Sequence, residues 1–223
     1  AAPPGAIWDA EVAFFDEIGR CRPEVANKLF PIIHERRIQG VAIEQLRFRW
    51  AATNPPAEAQ DEDSFARYDG VEPLDPALAD RFAYIVALPR FADLSDADRL
   101  QIIGGAGDVT QSGSATNVRE LVHATCALLP TIRAQSGEAI AAYVHSLVAK
   151  LSAAGIVIGG RRAAMLFRNM FAVRAAHLAL GLGGDEHACL SALMASIPDI
   201  VHTRISRSTL HAAHAAAWSE TSL

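Results

Sequence analysis

Glu11-Val12-Ala13-Phe14-Phe15-Asp16-Glu17-Ile18 is the stretch on which the reading of this chain turns. Its centre, Val12 to Phe15, is an uninterrupted apolar run, which predicts a strand buried on both faces as in a parallel sheet. Asp16 and Glu17 then stand at the C-terminal end of that strand, the edge where open α/β sheets bind ligands. Such a pair can hold a magnesium ion and activate a water side by side. By itself the pattern describes equally well a strand entering an acidic turn.

Downstream, Pro23 suits the first turn of a helix running to about Arg37, and Pro31 inside it predicts a kink. Residues Ile38 to Arg49 alternate apolar and polar around Gly40, which predicts a hairpin leading into a second core strand, Phe48 to Thr53, that stops at Asn54-Pro55-Pro56. Ala57 to Gly70 is polar and acidic, a loop. Phe82 to Leu88 is a third apolar run, closed by Pro89 and opened by Asp80-Arg81. Strands alternating with helix and loop imply an α/β layer.

Beyond Pro89 the periodicity becomes helical, so a boundary is expected near Phe91, with residues 1–91 forming one domain and 92–223 the other. Ser95-x-x-Asp98 is a capping signal, and Gly104 to Ser114 a Gly-rich loop. Ile140, Val144, Leu147, Val148 and Leu151 share one helical face, as do Leu166, Met170, Val173, His177 and Leu180. Two further helices are expected over His187–His202 and Ser208–Trp218.

The 223 residues carry 20 basic and 25 acidic side chains, a net charge of −5, which does not provide the broad basic footprint of a nucleic-acid binder. No apolar run approaches a membrane span, and acids stand in the first thirty residues where a signal peptide would be apolar, so neither a span nor an export signal is expected. Three cysteines without a CxxC pair point to a reducing compartment, so a cytoplasmic protein is expected.

In order along the chain, several segments carry a family likeness. Gly5 to Ile18 resembles the Walker B segment of the MoxR branch of the AAA+ ATPases, and Asn27-Lys28-Leu29-Phe30 through Glu35-Arg36 its following helix. Ala52-Thr53-Asn54-Pro55 is similar to the sensor-1 strand end, and Leu74 to Phe82 to the stretch bearing the arginine finger. Gly159-Gly160-Arg161-Arg162-Ala163-Ala164 resembles the sensor-2 motif, with Gly160 and Arg161 where Ser and Pro are usual, and Ile197 to Ile205 a segment of the lid.

The resemblance implies an α/β partial AAA+ core, a parallel-sheet remnant, followed by an all-α helical lid bundle. It implies ATP as the nucleotide, with Asp16 holding Mg²⁺, Glu17 acting as general base and Asn54 positioning water. Arg81 would act in trans, and Arg162 would reach the phosphates from the lid, with Arg161 as its rival. It further implies a homo-oligomeric ring, commonly a hexamer, that remodels a protein client, for which a von Willebrand factor A domain protein is the family expectation. The Ile38 to Arg47 hairpin is either a partner-facing insertion or an ordinary surface hairpin.

One part of the pattern is missing from these residues. The two lysines, Lys28 and Lys150, follow Asn27 and Ala149, so no Gly-Lys-Ser/Thr phosphate loop is present. In the family that loop lies upstream of the Walker B strand, and the chain begins Ala1-Ala2-Pro3-Pro4 without Met. The expectation is therefore a polypeptide that starts midway through the core and binds ATP poorly alone. A non-enzymatic helical adaptor with a vestigial ATPase core is the alternative.

Other patterns lead elsewhere. His34-Glu35 lacks the second histidine of a zinc-binding helix, because residue 38 is Ile38. His211 and His214 share a helix face without a third ligand, which predicts a solvated Ala-rich helix. Gly181 to Gly184 reads as a helix-ending loop, and Cys126 and Cys189 as core residues.

Overall fold

The computed structural model describes residues 7–54, 74–104, 115–197 and 205–221. The described residues fall into two compact units that part between Ala83 and Tyr84. The first contains a small parallel sheet, and the second is a helical bundle.

In the first unit, β1 (Val12–Phe15) pairs in parallel with β4 (Phe48–Ala51), Val12 opposite Phe48 and Phe15 opposite Ala51. Burial alternates along both strands instead of being continuous. Val12 and Phe14 are 54% and 61% exposed, and Phe48 and Trp50 stand beside them on the same face. The expected two-faced burial is thus corrected to one-faced burial. Phe15 and Ala51 point the other way, onto a core built by Ile18, Ile33 and Leu78 with Ala26, Leu29, Phe30, Leu74 and Phe82.

Helix α1 (Pro23–Phe30) starts with proline at its first position, where no N–H partner is lost. At Pro31 the missing N–H ends the regular ladder, and the chain passes through one π-type turn, Pro31–Glu35. Arg36, in the left-handed region at φ 57°, closes that turn by donating its N–H to the Pro31 carbonyl. Arg49 crosses from β4 to donate its Nε–H to the Ile33 carbonyl at 3.0 Å, so the irregular turn keeps a partner. The hairpin follows as β2 (Arg37–Ile38) and β3 (Val41–Ala42), paired antiparallel. Its two-residue turn has φ 49° at Gln39 and 83° at Gly40, the double left-handed turn that matches strand twist.

The third strand does not form among the described residues. Asp75 caps α2 (Pro76–Ala79), its Oδ1 accepting from the Ala77 and Leu78 N–H groups at 2.7 and 3.2 Å. Asp80 and Arg81 therefore end a helix instead of opening a strand. Asp75-Pro76 is a helix-start signal, and the apolar run after it finds no strand neighbour; Ile85 donates its N–H to Ala195 at 2.7 Å instead.

The second unit comprises α3 (Asp96–Ile103), α4 (Ala115–Ala153), α5 (Gly160–Ala179), α6 (Asp185–Ser196) and α7 (Arg207–Ser219). Ser95 caps α3 as its spacing predicts, accepting the Asp98 N–H at 3.1 Å. The Gly-rich residues 105–114 and most of the segment Ile197 to Ile205 lie outside the described residues, as do Gly5 and Ala6 and the polar loop. Helix α4 is a single rod of 39 residues that carries Pro130 inside it. Its C-terminal half buries Ile140, Tyr143, Leu147 and Leu151 where α4 packs on α5 and α7, and α6, with Ala192 and Leu193 buried, packs on α5 and α7 in turn. Two glycines close helices by the same device. Gly155 (φ 83°) lets Ile156 donate to the Leu151 carbonyl at 2.9 Å, and Gly181 (φ 66°) lets Leu182 donate to the His177 carbonyl at 2.8 Å.

Leu147 is fully buried. Leu147→Ala is expected to destabilise the helical unit by about 2–5 kcal/mol, lost methyl contacts plus a residual cavity. Calorimetry should show the transition of that unit moving down in temperature; an unchanged transition would place Leu147 outside the core.

Two further expectations are corrected. Cys126 is exposed, whereas Cys189 is buried as expected, because the half of α4 that carries Cys126 presents that face to solvent. His214 is 3% exposed, not solvated, while His211 on the same helix is exposed. Among the described residues no helix is long and apolar enough to cross a membrane.

Candidate functional site

The parallel pairing of β1 with β4 determines what meets at one edge of the sheet. The ladder closes with the Ala52 N–H donating to Phe15 and the Ile18 N–H donating to Ala52, both at 3.0 Å. Both strands consequently leave the sheet on the same side. Asp16 and Glu17 follow β1 there, and Asn54 follows β4.

Asp16 and Glu17 are exposed. Glu17 occupies the left-handed region at φ 49° and ψ 39°, a conformation that costs a non-glycine residue on the order of 1 kcal/mol or more. Its neighbours hold it there. The Glu17 N–H is taken by Asp16 Oδ1 at 2.9 Å, its carbonyl accepts from the Arg20 N–H at 2.9 Å, and Ile18 and Gly19 behind it are buried. The single turn folds Arg20 back, so that Nη1 lies 3.5 Å from Glu17 Oε2. Arg20 is a site neighbour that the motif reading missed; its position three residues after Glu17 was the available signal. Asn54 is half-buried, and its carbonyl accepts from Thr53 Oγ1 at 3.1 Å.

Arg81 follows α2 in the same unit. Its guanidinium lies 4.3 Å over the Phe30 ring and Nη1 donates to the Ala77 carbonyl, while Nε is buried without a hydrogen-bond partner. Arg49, also unforeseen, has its pKa held below the ordinary value by burial and then by the Arg36 charge.

Arg161 and Arg162 begin α5, in the other unit. Arg161 is exposed; Arg162 is 2% exposed and donates from Nη1 to the Ser196 carbonyl at 3.1 Å. Asn169 Nδ2 donates to Ser196 Oγ at 2.8 Å, and that hydroxyl donates to Ala192 at 2.5 Å. This network ties α5 to α6. Arg162→Ala removes the donor to a buried carbonyl and is expected to cost the helical unit about 1–3 kcal/mol. A chemical-denaturation midpoint equal to that of the parent would show the Ser196 contact to be dispensable.

Mg²⁺ keeps several waters and binds through one or two carboxylates plus phosphate oxygens, a demand that the exposed Asp16 carboxylate meets. Among the described residues no group of three His, Cys, Asp or Glu side chains could enclose a metal. The triphosphate is a different matter. Without Gly-Lys-Ser/Thr, these residues do not supply the backbone cradle that holds β- and γ-phosphates.

A parallel strand pair with two acids and an amide at its C-terminal edge fits the outcome of the family comparison. Residues 4–82 match the AAA domain of the dynein-related subfamily. The AAA match takes in Asp16, Glu17, Asn54 and Arg81 and ends before the helical unit. It supports an AAA+ ATPase-type function, and AAA domains generally bind ATP with Mg²⁺. No curated protein and no solved structure matches the chain.

Proposed function

We propose that this chain is the back half of a MoxR-type AAA+ ATPase core followed by its helical lid, working as an ATP-hydrolysing remodeller of a partner protein. Residues 1–91 carry the core portion and 92–223 the lid. Tyr84 to Phe91 acts as the connector, tied to the helical unit by the Ile85–Ala195 hydrogen bond. The observation that carries the reading is the parallel β1–β4 register, which gathers Asp16, Glu17 and Asn54 on one sheet edge. The AAA match over residues 4–82 supports the same reading.

Each residue has a role of its own. Asp16 holds Mg²⁺, Glu17 takes the proton from the attacking water, and Asn54 orients that water. Arg81 serves the neighbouring protomer of a ring, six-membered on this proposal. In the lid, Arg162 is the arginine assigned to the phosphates and Arg161 its rival; Arg161 is exposed, and Arg162 is buried with Nη1 on the Ser196 carbonyl. The client is a protein, with a von Willebrand factor A domain partner as the first to test, in the cytoplasm.

Arg162 also favours a second reading. A sensor arginine sequestered in a bundle is what a non-enzymatic helical adaptor with a vestigial core would show. ATP turnover separates the two, measured on protein expressed with whatever in-frame sequence precedes Ala1. Hydrolysis that depends on Mg²⁺ supports the motor; absence of both nucleotide binding and turnover in that protein leaves the adaptor.

A further inference from the structure

The helical unit holds a buried polar cluster that the proposed ATPase chemistry does not use. His214 on α7 hydrogen-bonds through Nδ1 to the hydroxyl of Tyr143 on α4 at 2.6 Å, and both side chains are buried. Trp218 packs edge-on to Tyr143, with ring centroids 5.8 Å apart. The other imidazole nitrogen, Nε2, is buried without a hydrogen-bond partner, 3.9 Å from Glu186 Oε1 of α6.

The carboxylate identifies the tautomer. A lone pair on Nε2 would be repelled by Glu186, whereas an N–H is attracted, so Nε2 carries the hydrogen and Nδ1 accepts from Tyr143. A second proton has only Nδ1 to bind. There it meets the Tyr143 hydrogen, which must turn away inside a site closed to water. It also places a positive charge among buried groups, with the half-exposed Glu186 as the carboxylate facing it. Among the described residues, Cys189 on α6, whose thiol burial pushes up to about 12, acts on Tyr143, and His211 on α7 acts on His214.

We propose that His214 is a proton-operated latch: neutral, it holds α7 against α4 and α6, and protonation releases α7 from the bundle. Burial holds the His214 pKa below the ordinary imidazole value, Glu186 opposing that shift and His211 adding to it. The unfolded or released histidine binds its proton first as pH falls. The latch is therefore intact above about pH 6.5 and is lost as pH falls through the lower value of the closed state.

Hydrogen exchange on the full chain tests this, with α7 and α5 amides compared at about pH 7.5 and about pH 5 after correction for intrinsic rates. Protection of Leu210 to Ala217 should fall about tenfold or more while α5 changes less, and His214→Gln should abolish the difference. Because His214→Gln also removes the Tyr143 hydrogen bond that fastens the helix, Tyr143→Phe supplies a second readout. Without the hydroxyl occupying Nδ1, release should begin at higher pH than in the parent. Equal loss in α5 and α7, an undiminished pH response in His214→Gln, or no upward movement in Tyr143→Phe overturns the latch.

Discussion

Arg81→Ala is expected to lower ATP turnover of the assembled protein by about 10³–10⁵-fold, the range associated with arginines that reach a transferred phosphoryl group across an interface. Arg81 follows a short, firmly capped helix whose Leu78 and Ala79 are buried. That anchorage defines where the guanidinium starts from. In the isolated chain it rests over Phe30 with Nε unpartnered, so a neighbour's anion would give Nε a partner that it lacks. The variant also loses the cation–π contact, worth about 0.5–2 kcal/mol, and a melting curve separates that effect from catalysis. The decisive measurement mixes Arg81→Ala with Glu17→Gln subunits. Recovery of turnover identifies an action in trans; no recovery reduces Arg81 to a packing residue of its own core.

Glu17→Gln is expected to reduce turnover by about 10²–10⁴-fold while leaving nucleotide affinity within a fewfold of the parent. The substitution preserves shape and removes basicity. Because the left-handed turn is maintained by the Asp16 carboxylate, the Ile18 hydrogen bond and two buried residues, the backbone should not relax. The ion pair with Arg20 is lost, but both groups are about half exposed and such pairs contribute about 0–1 kcal/mol. Single-turnover kinetics beside equilibrium nucleotide binding checks the split. Turnover near the parent's rate would remove Glu17 from the chemistry.

Much of the local structure was legible because its causes lie within a few residues. Pro23 starts α1, Pro31 disturbs it, Gln39-Gly40 turns the hairpin, Ser95 caps α3, and Gly181 ends α5, each through a backbone constraint carried by the residue itself. Legibility failed where an apolar run had to find a neighbour. Phe82 to Leu88 has strand composition, yet the described residues offer it no strand to pair with. Val12 and Phe14 were expected inside and stand exposed, since burial depends on what covers a face, not on the hydrophobicity of that face. His214 and Cys126 exchanged their expected environments for the same reason.

The candidate site divides along the same line. The amino-acid order alone determined that two acids end an apolar strand, that an amide ends another, and that the phosphate-loop motif does not occur in these residues, since each is a matter of adjacent residue types. Only tertiary structure decided that the two strands run parallel in a register bringing Asp16, Glu17 and Asn54 to one edge, and that Arg162 is enclosed while Arg161 is not. Pairing register and burial are set by contacts between segments distant in sequence, and a linear pattern does not contain those contacts.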